Sequence, residues 1–275
     1  MTVLWIAHGY PCPQFPGLGA FIKVQAQALA PTLPHLDIVT PVSAMPWGIG
    51  QLSPRWRRVS EMPAIEQGGN VTVHRPRYFA HPHENRFGLP HRFMLRAIRG
   101  LGLARPAIMH AHCGVPHGWV ALQLAREWGV PYAMTLLGSD VAVFAKATAG
   151  ARQRFVESVR SADAVFAVGS RLADETEVMT GRRPDVLHYG VREDWLTAPR
   201  DKSGARARLG LPNDGFIGLF VGQLSVAKGV ADLARAIKQF SAGDGAAPAQ
   251  WLFVGDGQLR AMLEELPTCR LAGAV

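Results

Sequence analysis

Short apolar runs and amphipathic segments alternate along almost the whole chain, and few folds accept that pattern. VLWIAHG (3–9), LDIVTPV (36–42), VTVHRPRY (71–78), AIMHAH (107–112), PYAMTLLG (131–138), AVFAVG (164–169) and DVLHYG (185–190) read as strands. FIKVQAQALA (21–30), HRFMLRAIRGLG (91–102), HGWVALQLAREWG (117–129), RQRFVESVRSA (152–162) and SRLADETEVMTG (170–181) place apolar residues at helical spacing, the last with Ser170 as its expected N-cap. Such an alternation builds a parallel sheet covered by helices on both faces. Ligands of these sheets sit beyond the carboxyl ends of the strands, where the strand order reverses, so the loops after the strands are where function is sought.

Residues 191–215 break the pattern: they are polar, turn-rich and proline-containing, and read as a linker. They separate a first domain, 1–195, from a second region, 196–275. In the second, FIGLFVG (216–222), VADLARAIKQF (230–240), a GDGAAPA loop (243–249), WLFVGDG (251–257), QLRAMLEEL (258–266) and CRLAGAV (269–275) use the same grammar. From Phe216 onward only 60 residues remain. A doubly wound domain usually takes about 100–150 residues, so the second sheet is expected to be incomplete, either as part of a longer frame or with a partner covering its open edge.

Composition narrows the partners. The formal charge of +8 favours polyanions or anionic surfaces. Arg55, Arg57, Arg58, Arg75, Arg77, Arg86, Arg92, Arg96, Arg99 and Arg105 crowd one stretch. No nucleic-acid-binding signature accompanies them, so nucleic acid is not an expected partner. Cys12, Cys113 and Cys269 are far apart, odd in number and without CxxC spacing, which points away from a disulfide framework and towards a reducing, cytoplasmic setting. MTVLWIAHGYP reads as a buried first strand rather than a signal peptide, and no run of 18 apolar residues offers a membrane span.

Several strand-end motifs could carry chemistry. PGLGAF (16–21) sets Gly17 and Gly19 before a helix, where backbone N–H groups can approach an anion, although its spacing is not GxGxxG. The alternative is a tight turn. HAHCGVPHG (110–118) holds three histidines, but the spacing fits no standard zinc motif, and no metal is expected. HAH on a strand is expected to send one histidine to each side of the sheet, with His112 at the strand end as a polar contact or a structural histidine. In TLLGSDV (135–141), Asp140 could cap the next helix or hold a ligand hydroxyl. FVGQLSVAKG (220–229) carries Gly222, Gln223 and Lys228, with Lys228 expected at a helix start, where a lysine and helix N–H groups can neutralise a diphosphate. Gly255, Asp256 and Gly257 in WLFVGDG repeat the strand-to-glycine turn, as a tight turn and N-cap or as a nucleotide-contacting loop.

In order, PGLGAFIKVQAQAL, HAHCGVPHG, TLLGSD, ADAVFAVGSRLADE, LHYGV, FVGQLSVAKGVADL and FVGDGQLRAML resemble the retaining glycosyltransferases of family 4, with their GT-B fold of two Rossmann-like domains. The match spans nearly the whole chain. PGLGAF, HAHCGVPHG and RPRY are most similar to the branch that builds exopolysaccharides and teichuronic-acid-type surface polymers. The resemblance implies transfer of a sugar, with retention and without a metal, from a nucleotide-diphospho-sugar to a glycan or lipid-linked acceptor. No further cofactor is implied. Lys228 matches the lysine that stabilises the departing diphosphate, and Gly17 and Gly19 match the glycine loop near the reacting sugar. The basic first domain would suit peripheral contact with an anionic membrane at its inner face. The chain also departs from the family. The arginine of VGRL is Gln223, the histidine or arginine before GSD is Leu137, and no E-x7-E segment is present. Weak or absent turnover is therefore expected, and the alternative is a non-catalytic binding subunit completed by a partner chain.

Overall fold

The computed structural model describes residues 2–45, 53–79, 90–191, 193–198, 200–242 and 249–274. Arg86 and most of the 243–249 loop lie outside them. The chain forms two compact units, Met1–Leu196 and Thr197–Val275.

In the first unit the chain runs β1 (Thr2–Ala7), α1 (Ala20–Leu29), β2 (His35–Val39), β3 (Val42–Ala44), α2 (Pro54–Ser60), β4 (Ile65–Gly68), β5 (Val71–His74) and β6 (Arg77–Phe79). It continues with α3 (Pro90–Arg99), β7 (Ile108–His112), α4 (His117–Trp128), β8 (Tyr132–Leu136), α5 (Ser139–Ala142) and α6 (Ala149–Ser161). The unit closes with β9 (Ala164–Ala167), α7 (Ser170–Thr180), β10 (Asp185–Val186) and the short helix α8 (Glu193–Thr197), which reaches into the second unit. Eight strands lie in the order β10-β9-β8-β7-β1-β2-β5-β4, parallel except for the edge strand β4. From β1 the chain builds outward through β2 and β5, then returns to β7 on the other side. The order therefore reverses between β1 and β7.

Both faces of this sheet are buried, as the near-continuous apolar reading of β1 requires. Leu4 and Ile6 face one core with Met109, Ala111, Val120 and Phe155. Val3, Trp5 and Ala7 face the other, with Ile22 and Ala26 of α1. The alternation along one strand thus feeds two layers of helices.

Four local expectations are corrected. The runs 36–42 and 71–78 are each two strands, because Pro41 and Pro76 cannot donate to a ladder. β3 and β6 leave the main sheet and pair with each other. Gly169, not Ser170, is the N-cap of α7, and Ser170 is already helical. The expected linker holds α8 and a further helix, α9 (Lys202–Arg208), whose N-cap Asp201 accepts the N–H of Gly204 at 2.8 Å. The Asp201 cap and Gly210 at φ 61 were the overlooked start and stop signals.

In the second unit β11 (Phe216–Val221), α10 (Val230–Ala242), β12 (Ala249–Val254), α11 (Arg260–Glu264) and β13 (Cys269–Gly273) give three parallel strands in the order β11-β12-β13. Leu224, Val230, Ile237, Phe253 and Leu263 pack on one face. Leu219 and Val221 of β11 remain exposed.

Candidate functional site

The strand order reverses between β1 and β7, so the loops that follow them, 8–19 and 113–116, border the place where a ligand is sought. Near it the structure groups His112 and Asp140 with three residues not singled out above, His8, Phe21 and Tyr189, while Gly17 and Gly19 lie in the loop after β1. The ring of His8 lies 6.1 Å from Phe21 and 6.4 Å from His117, and Phe21 lies 5.0 Å from Tyr189. Only their positions just past strand ends could have flagged His8 and Tyr189.

The two glycines differ. Gly19 holds φ 67 as the N-cap of α1, and an added Cβ would lie 2.3 Å from the carbonyl oxygen of Gly9. Glycine is obligatory there. Gly17 is exposed, lies outside the left-handed region, and nothing approaches within 4 Å of an added Cβ. Two arginines brace the loop. Buried Arg75 donates to the Pro11 carbonyl at 3.0 Å and pairs with Glu66 at 3.0 Å. Arg58 donates to the Gln14 carbonyl, with its guanidinium 4.9 Å from the Phe15 ring centroid.

His110 and His112 do not point to opposite sides. Residues i and i+2 of a strand share a face, and their rings stack at 4.5 Å with an interplanar angle of 23°. His110 bonds to Thr135 Oγ1 at 2.9 Å, and His112 packs on Trp5 at 4.4 Å. His112 is 1% exposed, and neither of its ring nitrogens has a hydrogen-bond partner among the described residues. Burial holds His112 well below the usual histidine pKa, His110 at about 4 and His117 at about 3. These rings are neutral near pH 7. Desolvation also lowers the pKa of His8, and the Asp140 carboxylate partly offsets it. Among the described residues no group of three or more His, Cys, Asp or Glu side chains is placed to hold a metal.

Asp140 is fully buried. Its carboxylate accepts the N–H groups of Gly114 and Gly138, each at 2.7 Å, and of Leu137 at 3.1 Å. It lies inside α5, where Gly138 holds the cap position. The side chain therefore fastens the loop after β7 to the loop after β8. Cys113 sits in that fastened loop at φ 121, a conformation costing a non-glycine residue roughly 1–3 kcal/mol.

In the second unit the loops after β11 and β12 interlock. Gly222 donates to Val254 O at 2.9 Å, and Leu224 donates to Asp256 O at 2.9 Å. An added Cβ at Gly255 would lie 1.9 Å from Gly222 O, and one at Gly257 would lie 2.4 Å from Leu224 O. The glycines at 255 and 257 thus allow two loops to touch. The Asp256 carboxylate accepts the N–H of Gly257 at 2.7 Å in its own turn. Gln223, Lys228 and Asp256 are exposed. Lys228 ends a 3₁₀ turn and is not at the helix start: Gly229 follows at φ 73, and α10 begins at Val230. The arrangement presents a cation next to the N-terminus of a thirteen-residue helix, a combination suited to an anion.

Comparison with known proteins bears on the family and the fold. Over 269 residues the chain is 31% identical to TuaC of Bacillus subtilis (strain 168), named as a teichuronic acid biosynthesis glycosyltransferase; the match covers 96% of this chain and 68% of TuaC. It is 34% identical over 142 residues to D-inositol 3-phosphate glycosyltransferase 1 of Catenulispora acidiphila, covering 48% of this chain and 34% of that one. Among solved structures, WaaG, a glycosyltransferase involved in lipopolysaccharide biosynthesis, shares the fold at a TM-score of 0.61 and 11% identity, covering 100% of this chain and 70% of WaaG. The apo structure of OtsA gives a TM-score of 0.63 at 11% identity, covering 100% and 74%. The fold class is α/β of the GT-B type, with Rossmann-like parallel sheets. The profile of Glycosyltransferase Family 4 matches residues 24–195, and the chain belongs to that family.

Proposed function

We propose that this chain transfers a sugar, with retention and without a metal ion, from a nucleotide-diphospho-sugar to a lipid-linked or glycan acceptor in the synthesis of a bacterial cell-surface polymer. The observation that carries this reading is the exposed Lys228 beside the N-terminus of α10, at the carboxyl end of β11. When the bond between the sugar carbon and the phosphate oxygen breaks, its electron pair goes to the diphosphate. Lys228 and the N–H groups of α10 would meet that growing charge, which is stabilisation directed at the transition state. Likeness to TuaC across 96% of this chain supports the polymer-synthesis setting. On this reading Met1–Leu196 carries the acceptor side, with Gly17 near the reacting sugar. Asp140 and His112 shape the strand-end loops of the first unit, and the interlocked Gly222, Gly255 and Gly257 those of the second.

Gln223 supplies a neutral hydrogen bond where the resembling motif has arginine, and charge-assisted bonds are roughly twice as strong. Slow turnover is the expected result. Gln223 and Leu137 also favour a second reading, a non-catalytic binding subunit that keeps the acceptor site and is completed by a partner chain. The test incubates the chain with labelled uridine-, guanosine- and thymidine-diphospho-sugars and a bacterial lipid extract, with and without a chelator. Products are followed by NMR. Slow transfer with retained anomeric configuration, insensitive to chelator, supports the proposal. Inverted product or chelator-abolished transfer contradicts it. Acceptor binding without transfer, in both the parent and Gln223→Arg, establishes the second reading.

A further inference from the structure

Four rings gather at the carboxyl end of the first sheet. His8 is the first residue after β1, Phe21 lies in the first turn of α1, His117 opens α4 and Tyr189 follows β10. All four belong to the unit Met1–Leu196. Phe21 lies nearly parallel to His8, at an interplanar angle of 25°, and tilts 44° from Tyr189. His8 and Phe21 stay exposed. Elements distant in sequence thus present open aromatic faces where ligands of such sheets collect.

Beside these faces lie polar atoms without partners. His117 is 7% exposed, and its Nδ1 has no hydrogen-bond partner among the described residues. The Tyr189 hydroxyl is likewise buried and unpartnered there, as are both ring nitrogens of His112. Burial lowers the pKa of His112 and of His117; His110 and His8 add to it for His112, and His8 for His117, so the rings stand together. Buried polar groups are nearly always paired, and a cluster of orphans calls for a group that pairs them.

The surroundings select the charge of that group. Neutral imidazoles and a phenol offer donors and acceptors but no charge. No arginine or lysine among the described residues contributes to the pKa shift of His8, His112, His117 or Tyr189. The Asp140 carboxylate acts on both His8 and Tyr189. A phosphate or carboxylate would meet that field and find no charge of opposite sign on these rings, and like charges brought together are costly. A sugar ring suits the place: its C–H faces can lie on Phe21 and His8, and its rim of hydroxyls both donates and accepts. Small-molecule sites share this plan of apolar walls with a few placed polar groups.

We propose that His8, Phe21, His117 and Tyr189 seat an uncharged sugar ring, the residue that ends the acceptor, and discriminate against an acidic one. The proposal deepens the sugar-transfer reading above and rests on it only for naming that ring the acceptor's.

The experiment titrates the purified chain with methyl glycosides of glucose, galactose, mannose and N-acetylglucosamine, followed by saturation-transfer NMR. At least one should bind. The tightest is compared with its uronate and with the methyl ester of that uronate. The acid should bind at least about tenfold more weakly, and the ester, which has no charge, should recover most of the loss. Phe21→Ala should weaken the neutral glycoside about tenfold and Tyr189→Phe about fivefold. Tyr189→Phe removes one unpartnered oxygen, so it keeps the test sharp if Phe21→Ala does not fold, as circular dichroism checks. No glycoside bound, an acid bound as tightly as its neutral parent, or unchanged binding by Tyr189→Phe or a folded Phe21→Ala overturns the proposal. Displacement of the glycoside by a uridine-, guanosine- or thymidine-diphospho-sugar would give the seat to the donor's sugar and overturn it too. Glycoside binding when no nucleotide sugar binds leaves the seat standing and defeats sugar transfer; nucleotide-sugar binding without glycoside binding defeats the seat alone.

Discussion

The Asp140 carboxylate accepts the backbone N–H of Gly114 at 2.7 Å, joining residues 26 positions apart at the ends of two neighbouring strands. With Gly138 and Leu137 it satisfies three backbone donors in all, one in a buried bond and two in part-buried ones. Asp140→Ala would strand the buried Gly114 donor, which costs roughly 1–3 kcal/mol, and would weaken the two part-buried bonds as well. A loss of at least about 2 kcal/mol in urea unfolding is expected, with Asp140→Asn intermediate because one of its side-chain groups no longer accepts. An Asp140→Ala protein as stable as the parent would show that the carboxylate is not the fastener.

Gly17 and Gly19 look alike in sequence and should behave differently. Gly19→Ala forces a side chain into the left-handed region and against Gly9 O, so a destabilisation above about 2 kcal/mol is expected. Gly17→Ala meets open space and should change stability by less than about 0.5 kcal/mol. If Gly17 borders the reacting sugar, its alanine variant loses donor turnover while its melting temperature stays put. Equal melting temperatures for the two variants would remove the distinction.

The buried histidines set a pH dependence. Burial, reinforced by Arg154 and Arg92, lowers His91 to about 4; burial alone lowers His110 to about 4. In the unfolded chain these rings take up protons near pH 6.5. Between about pH 6.5 and 4 the unfolded state binds more protons, so stability falls as pH falls, by up to about 1.4 kcal/mol per pH unit for each ring. Urea midpoints at about pH 7 and pH 5 should differ accordingly, and His91→Leu should shrink the difference. A midpoint that rises on acidification in this window would contradict the buried neutral rings.

Much of this architecture is legible in the sequence because apolar period and glycine punctuation are local signals. The central strands, the α4 stop at Gly129 and the βα series after residue 216 follow from them directly. What escaped depends on contacts distant in sequence. The separate β3–β6 ribbon follows from two prolines that end ladder pairing, and the edge strand β4 forms only because β5 templates it. The Asp140 fastener needs Gly114 beside it, and neither residue advertises the other. The histidine pair was misread for a simpler reason, since positions two apart on a strand share a face. Lys228, expected at a helix start, lies instead on the turn that precedes α10, because Gly229 in the left-handed region separates the two.

Isothermal titration of uridine, guanosine, thymidine and adenosine diphosphates into the parent chain, Lys228→Ala and Gln223→Arg tests the diphosphate site most directly. At least one nucleotide should bind. Lys228→Ala should weaken it about tenfold, or about 1.4 kcal/mol, and Gln223→Arg should tighten it by a similar factor. No binding by any diphosphate, or the same affinity in all three proteins, would contradict a leaving-group site at the end of β11.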